Sequence, residues 1–531
     1  MSTPEPTDTH GLDAPPAPEE TRGAEETRSV DEIRGPGETC GADEPQDLDE
    51  TRAAVEAELA ALDRAVGRLR ALPVDHPLRL RAERVAESFV RDGRQHRRRE
   101  RRAEAVLADA ELSAATATGG DGRREDAPLP SATGHTPIGE LRRNRRCYVC
   151  KRNYRQLDGF YHRLCPDCAA DHTTRRALST DLTGRRVLLT GARVKIGFQL
   201  ALMMLRDGAD LTVTSRFPHD TLRRFAAAEG SAGWLDRLRI VGIDLRDPRQ
   251  VLGLCEQLRA EGGPLDILVN NAAQTVRRPP EAYALLAAGE HGPVPAQVGH
   301  APGFRPMPVL TTAWPAVELG AVPTAAPTAA PTTAPTAAPT IELAAQEASL
   351  VAPALPSLAS VDEAGLLPDR APQNSWSATL GGLDPAEVLE TQLVNALAPA
   401  LLCDRLLPLL EASPRPSRYI VNVTAVEGRF AVRNKMPGHP HTNMAKAALN
   451  MLTRTSAAEL AERGIHMCAV DTGWITDENP APKKSRMAGA GFRTPLDIVD
   501  GTARIYDPIV RGEAGEPLSG VFLKDYRVAD W

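Results

Sequence analysis

No stretch of about 18 consecutive apolar residues occurs in the 531-residue chain, so a helix crossing a bilayer is not expected. Large apolar side chains are nearly missing from residues 1–50, which are acidic and rich in Pro, Thr and Glu. A segment with so little to bury reads as a disordered acidic tail. The same N-terminus lacks the basic start and apolar block of a secretory signal. The expectation is therefore a cytoplasmic protein whose eight cysteines are mostly reduced. Neither sign of charge dominates, and a net charge of −7 names no class of partner. The length leaves room for two or more domains with ordinary cores.

Patterning starts near residue 51. Val55, Leu59, Leu62, Val66 and Leu69 recur at three- and four-residue steps, which is helical period. A second helix is predicted from about Pro77 to Leu112, after a break around Pro73–Pro77, so 51–112 is assigned as helical. Its run Arg97-Arg98-Arg99-Glu100-Arg101-Arg102 fits a solvated helix face, with nucleic-acid contact as the lesser alternative. Residues 113–135 are rich in Ala, Thr, Gly, Asp and Pro and read as a linker. Further on, Pro323, Pro327, Pro331, Pro335 and Pro339 alternate with Ala and Thr. Such a tract favours extended, polyproline-like chain and builds no core. Residues 281–384 are read as an insertion within one domain, in which short apolar pieces such as Pro308–Leu319 could still dock.

Cys147-x-x-Cys150 and Cys165-x-x-Cys168 stand 14 residues apart. Two such pairs can close a tetrahedron of thiolates around Zn²⁺, which assigns 136–180 as a zinc module. A four-sulfur site is closed, so the metal's expected role is structural. His162 and His172 are alternative ligands. Arg142, Arg143, Arg145 and Arg146 flank aromatic residues of the module, a mixture that can touch nucleic acid; packing or protein docking is the first reading. Cys40, Cys255, Cys403 and Cys468 read as small core or tail residues.

Arg186–Thr190 reads as a buried strand. Gly191-Ala192-Arg193-Val194-Lys195-Ile196-Gly197 follows, then an apolar-faced helix. A strand, a glycine turn and a helix N-terminus can cradle a pyrophosphate with backbone N–H groups. The next strand, Leu211–Thr214, ends at Ser215-Arg216, and Arg216 suits the 2′-phosphate of NADP, where NAD enzymes place an acid. A third strand (Arg239–Ile243) leads to Asp244, and a fourth (Leu265–Val269) to Asn270-Asn271-Ala272-Ala273. These ordered motifs resemble the short-chain dehydrogenases/reductases over about 181–280 and 385–531. Asn395, Tyr419–Val423, Lys446–Met451 and Val470–Trp474 match further family segments. The resemblance implies an α/β, doubly wound parallel sheet of Rossmann type spanning 181–531, carrying the small N-terminal zinc module and the disordered and helical extension. It also implies that Gly191, Arg193, Lys195, Ile196, Gly197, Arg216, Asp244, Asn270, Ala272, Lys446 and Gly473 bind the cofactor. The cofactor is expected to be NADP rather than NAD. Gly473 lies in the turn that contacts nicotinamide, and Asn395 supports a proton-relay water.

The departures are equally specific. Lys195 replaces the middle glycine of the first turn, where its ammonium could meet a phosphate. Ala425 stands where the family has its serine, and Thr442 where it has its tyrosine, four residues before Lys446. An aliphatic hydroxyl cannot replace a phenol as a general acid. His439 and His441 lie close by, and imidazole titrates near neutrality. The catalytic candidates are therefore Asn395, Lys446, Thr442, His439 and His441, with Lys435 and Asp471 weaker. Two functions are expected from this pattern. The first is an NADP-dependent oxidoreductase of a small carbonyl, alcohol or activated alkene with an unusual proton donor. The second is a catalytically silent NADP-binding sensor or scaffold that docks a protein or nucleic acid through the zinc module. No membrane partner is expected, and a homo-oligomer is compatible with the sequence.

Overall fold

The computed structural model describes residues 46–124, 127–130, 136–306, 361–362, 364–367, 370–432 and 435–531. The acidic tail to residue 45, Pro308–Leu319 and the proline repeat lie outside the described residues. The chain divides into two compact units, Met1–Arg97 and Arg98–Trp531. The first holds α1 (Gln46–Arg70) and the start of α2 (Pro77–Ala114), which crosses the boundary. The expected break is a turn closed by Arg79, whose guanidinium donates to the Leu72 carbonyl at 2.9 Å. The stripe residues Val55, Leu59 and Leu62 are exposed.

In the second unit, β1 (Pro137–Arg146) and β2 (Asn153–Asp158) pair antiparallel, followed by α3 (Pro166–Arg175). The buried Asp109 carboxylate near the end of α2 accepts the Arg142 and Arg143 N–H groups of β1. The segment after α2 corrects the linker expectation. Its small polar residues do not run free: the Thr118 N–H donates to the Phe160 carbonyl and its hydroxyl meets His162 Nδ1 at 2.8 Å. Thr116 and Thr118 are buried. Composition marked this stretch as a loop, but its backbone and hydroxyls are stitched into the cysteine hairpin.

The main body alternates strand and helix: β3 (Arg186–Thr190), α4 (Lys195–Arg206), β4 (Asp210–Ser215), α5 (Pro218–Ala226), β5 (Leu238–Gly242), α6 (Pro248–Glu261) and β6 (Ile267–Asn270). After α7 (Ala284–Ala288) and β7 (Val298–His300) come α8 (Pro385–Gln392), α9 (Ala398–Glu411), β8 (Arg418–Thr424), α10 (Pro440–Glu462), β9 (Ile465–Asp471), α11 (Ala481–Gly489), α12 (Ile498–Glu513), β10 (Phe522–Lys524) and β11 (Arg527–Ala529). The nine strands order as β11-β10-β9-β8-β6-β3-β4-β5-β7. All neighbours are parallel except the β10–β11 pair. Strands such as Val187-Leu188-Leu189 and Ile267-Leu268-Val269 are apolar throughout because helices cover both faces, building one core on each side. β4 and β6 flank β3 on opposite sides, so the order reverses there, and a crevice opens beyond the carboxyl ends of β3 and β6. The insertion's first part is ordered: β7 extends the sheet edge beside β5.

Among the described residues, one helical stretch, Pro385–Glu411, is long and apolar enough to cross a membrane. Its apolar side chains Val394, Leu402, Leu406 and Leu410 are instead buried in the core beneath the sheet.

Candidate active site

The two turns at the crevice are locked together. Asn271 Nδ2 donates to the carbonyls of Thr190 and Gly191, both at 2.9 Å. The Thr190 hydroxyl accepts the Asn271 and Ala272 N–H groups at 3.0 Å. Gly191 has φ +72°, and a Cβ there would lie 2.8 Å from Ala272 Cα. A Cβ on Gly197 would lie 2.2 Å from the Gly191 carbonyl oxygen. Both glycines are therefore demanded by backbone approach. α4 begins directly behind this turn with no side chain capping it. Ile196 packs between the first core and the cysteine hairpin.

The expected cations are less open than the sequence suggested. Lys195 takes the left-handed conformation of the glycine it replaces, with φ +55°. Its ammonium donates to Glu478 at 3.1 Å. Burial alone would raise the Glu478 pKa, but Lys195 and Lys484 hold it down to about 2. Arg193 pairs with Asp220 at 2.9 Å and lies over the Phe217 ring. Arg216 stacks over Tyr283 and Phe217 and makes no ion pair among the described residues. Asp244 is gripped by the Arg246 guanidinium at 2.6 Å, and Arg246 reaches Glu390 at 3.3 Å.

Two asparagines are held by the protein's own groups. Asn270 lies inside the sheet, donating to Asn422 Oδ1 at 2.8 Å, so its amide braces strands rather than facing a ligand. Asn395 sits where the helix widens into a π turn at Leu393–Leu397. Both ends of its amide are taken by the Gln274 backbone: Oδ1 accepts the N–H at 2.7 Å and Nδ2 donates to the carbonyl at 2.9 Å. It holds the chain that leaves the Asn-Asn-Ala-Ala turn.

Lys446 and Thr442 lie one turn apart on α10, so they share a face. Lys446 is 5% exposed and its ammonium donates to the Val423 carbonyl at 2.8 Å. Burial lowers its pKa to about 8, against the pull of Glu427. Thr442 is 3% exposed and its hydroxyl has no hydrogen-bond partner among the described residues. His441 is 1% exposed and neither ring nitrogen is partnered among the described residues; burial lowers its pKa. His439 caps α10 in a left-handed conformation. Its ring stacks on Trp376 with centroids 3.8 Å apart, and Nδ1 lies 2.9 Å from the Trp376 carbonyl. The chain returning from the insertion is thus pinned against the start of α10.

One residue escaped the sequence reading. Glu427, on the turn that follows β8, has its pKa raised by burial and by Asp471, with Lys435 and Lys446 nearby. Its position two residues past Ala425 was the available signal. Asp471 accepts the Val426 N–H at 3.1 Å and pairs with Lys524 at 3.4 Å.

The four sulfur atoms of Cys147, Cys150, Cys165 and Cys168 all lie within 4.8 Å of one another. That cluster fits Zn²⁺, which takes four thiolates at about 2.3 Å each. His162 and His172 are placed elsewhere: His162 faces Thr118, and His172 Nε2 lies 2.8 Å from the buried Arg504 guanidinium. Gly473, with φ +80°, packs against Leu496.

Residues 185–285 match the short chain dehydrogenase family, and residues 364–490 match the family described as Enoyl-(Acyl carrier protein) reductase. An uncharacterized protein of Acanthamoeba polyphaga mimivirus is 27% identical over 384 residues, 69% of this chain and 71% of that protein. A probable oxidoreductase of Streptomyces antibioticus is 40% identical over 94 residues; the match covers 17% of this chain and 30% of that protein's length. A short chain dehydrogenase structure from Burkholderia cenocepacia, in complex with NADP, aligns over 65% of this chain and 97% of its own at 19% identity, with a TM-score of 0.39. The two matched stretches carry the glycine turn, the Asn-Asn-Ala-Ala turn and the buried lysine, and over them the chain is similar to the short-chain dehydrogenases/reductases.

Proposed function

We propose that this protein is an NADP-dependent oxidoreductase of a small carbonyl, alcohol or activated alkene, in which His441 and Thr442 take over proton handling from the missing tyrosine. The observation that carries it is the buried trio at the start of α10. Lys446 is held in place by a strand carbonyl, and four and five residues before it are two side chains whose polar atoms lack partners among the described residues. Unpartnered buried polar atoms cost stability, so they are expected to gain partners from substrate, cofactor or water. Bound NADP would supply hydride at its nicotinamide. The residues present fit it: Gly191, Gly197 and the first N–H groups of α4 form a pyrophosphate cradle, Arg216 is the open cation for the 2′-phosphate, and Lys446 suits a ribose hydroxyl. The lowered pKa of His441 keeps its ring neutral at pH 7, so a ring nitrogen can take a proton from an alcohol. His439, stacked and hydrogen-bonded, orients the helix start. Cys147, Cys150, Cys165 and Cys168 hold a structural Zn²⁺, in keeping with a reducing cytoplasm.

Turnover of NADP⁺ against a panel of small alcohols, the direction in which neutral His441 accepts the proton, tests the reading. His441→Ala should abolish it, whereas turnover unchanged in that variant would remove His441 from the mechanism. A second reading, a silent NADP-binding scaffold, is favoured by the loss of the family's serine at Ala425 and of its tyrosine at Thr442, and by the internal pairing of Arg193, Lys195 and Asp244. Saturable NADPH binding with no turnover on the panel is its signature.

A further inference from the structure

The cysteine hairpin and the chain after β9 share one core. Leu141, Leu157, Tyr161 and Leu164 pack with Ile475, Leu496 and Ile498. The contact has two feet. At the first, the Trp474 N–H donates to Tyr148 Oη at 2.9 Å, and Tyr148 lies between Cys147 and Cys150. Its ring sits beneath two ammonium groups, Lys151 at 5.1 Å and Lys524 at 5.5 Å. At the second, Arg123 donates to the Thr494 and Leu496 carbonyls, both at 2.7 Å. Arg176 pairs there with Asp497, and Tyr161 donates to Asp500 at 2.5 Å.

Between the feet runs 475–493, including α11, which buries no residue of its own. This span touches the site twice. Glu478 takes the Lys195 ammonium at the glycine turn, and its carbonyl accepts Asn374 Nδ2 at 2.9 Å from the chain returning out of the insertion. A segment with an exposed helix and two fixed ends is positioned by whatever fixes the ends.

We propose that Tyr148 is a positioning residue: through its hydroxyl the four-cysteine module fixes Trp474, and with it the Gly473 turn, at the nicotinamide end of the cofactor site. This rests on the reading above that the cofactor lies along the Gly473 turn. It gives the zinc module a task in the oxidoreductase unit, rather than that of an appended binding domain. Metal held by Cys147 and Cys150 would fix the backbone on both sides of Tyr148, so loss of metal should loosen the same turn.

The test is Tyr148→Phe in the full chain, with Tyr154→Phe as control. The Tyr154 hydroxyl donates to the His162 carbonyl inside the hairpin. Tyr148→Phe should leave zinc content and melting temperature near wild type. It should speed amide exchange at Trp474 about tenfold and weaken NADPH binding about three- to tenfold, the range of one lost hydrogen bond. Tyr154→Phe should change neither exchange at Trp474 nor NADPH affinity. Unchanged Trp474 exchange in Tyr148→Phe, or an equal effect of Tyr154→Phe, overturns the proposal. Should the wild type bind no NADPH, the functional reading fails, while the exchange comparison still decides whether Tyr148 braces the turn.

Discussion

Lys446 and Val423 meet at the carboxyl end of the sheet, where the ammonium donates to the strand carbonyl at 2.8 Å. This bond fixes the lysine from below, in the absence of the tyrosine that would stand one helical turn away. The site is thereby arranged around a buried cation whose pKa burial lowers to about 8.

That pKa predicts a pH dependence of stability. An unfolded lysine titrates near 10.5, so between about pH 8 and 10.5 the unfolded chain binds the extra proton and stability rises with pH. Below pH 8 the full cost of burying the charge, about 3 kcal/mol, is present. Lys446→Met removes the charge, so the rise should vanish and stability at pH 7 should equal or exceed wild type. Denaturant melts across pH 7–10 check this; an identical pH slope in both proteins refutes it.

The glycine turn predicts a steric effect. Gly197→Ala would push a methyl to 2.2 Å from the Gly191 carbonyl, so the turn must open. A loss of about 2–4 kcal/mol is expected, as for other severe overpacking, with loss of NADPH binding. Thermal melts and fluorescence titration read both.

Much of this framework was legible in the sequence, and the reasons are local. Arg186–Thr190 is an apolar run closed by a glycine turn, and its observed bounds are the same. The cysteine spacing implied a cluster, and four sulfurs meet. What stayed hidden depends on partners remote in sequence. Tyr148 and Trp474 are 326 residues apart, and no periodicity links them. The pairing of Arg193, Lys195 and Asp244 was not legible because a sequence shows charges but not the counter-ions Asp220, Glu478 and Arg246. Asn270 ends its strand pointing inward, which motif position alone does not reveal. The Val298–His300 edge strand is too short for an alternating pattern.

Cofactor choice should rest on Arg216. Arg216→Ala is expected to weaken NADPH binding tenfold or more, the worth of about one charge-assisted hydrogen bond, and to leave NADH binding near its wild-type value. Parallel titrations with both nucleotides measure the ratio, and equal losses for the two would place the 2′-phosphate elsewhere.

The metal site should hold about one zinc per chain. Cys150→Ser should lower that content and the melting temperature together, because the hairpin and the chain after β9 share a core. Metal analysis of freshly purified protein checks it; less than about half an equivalent argues against a structural zinc.

The most direct test of the central claim is a fluorescence titration of the purified full chain with NADPH and NADH, run beside Lys446→Met. Saturable NADPH binding, tighter than NADH binding and weakened in the variant, is the predicted result. No binding of either nucleotide, or NADPH binding indifferent to Lys446, contradicts the account.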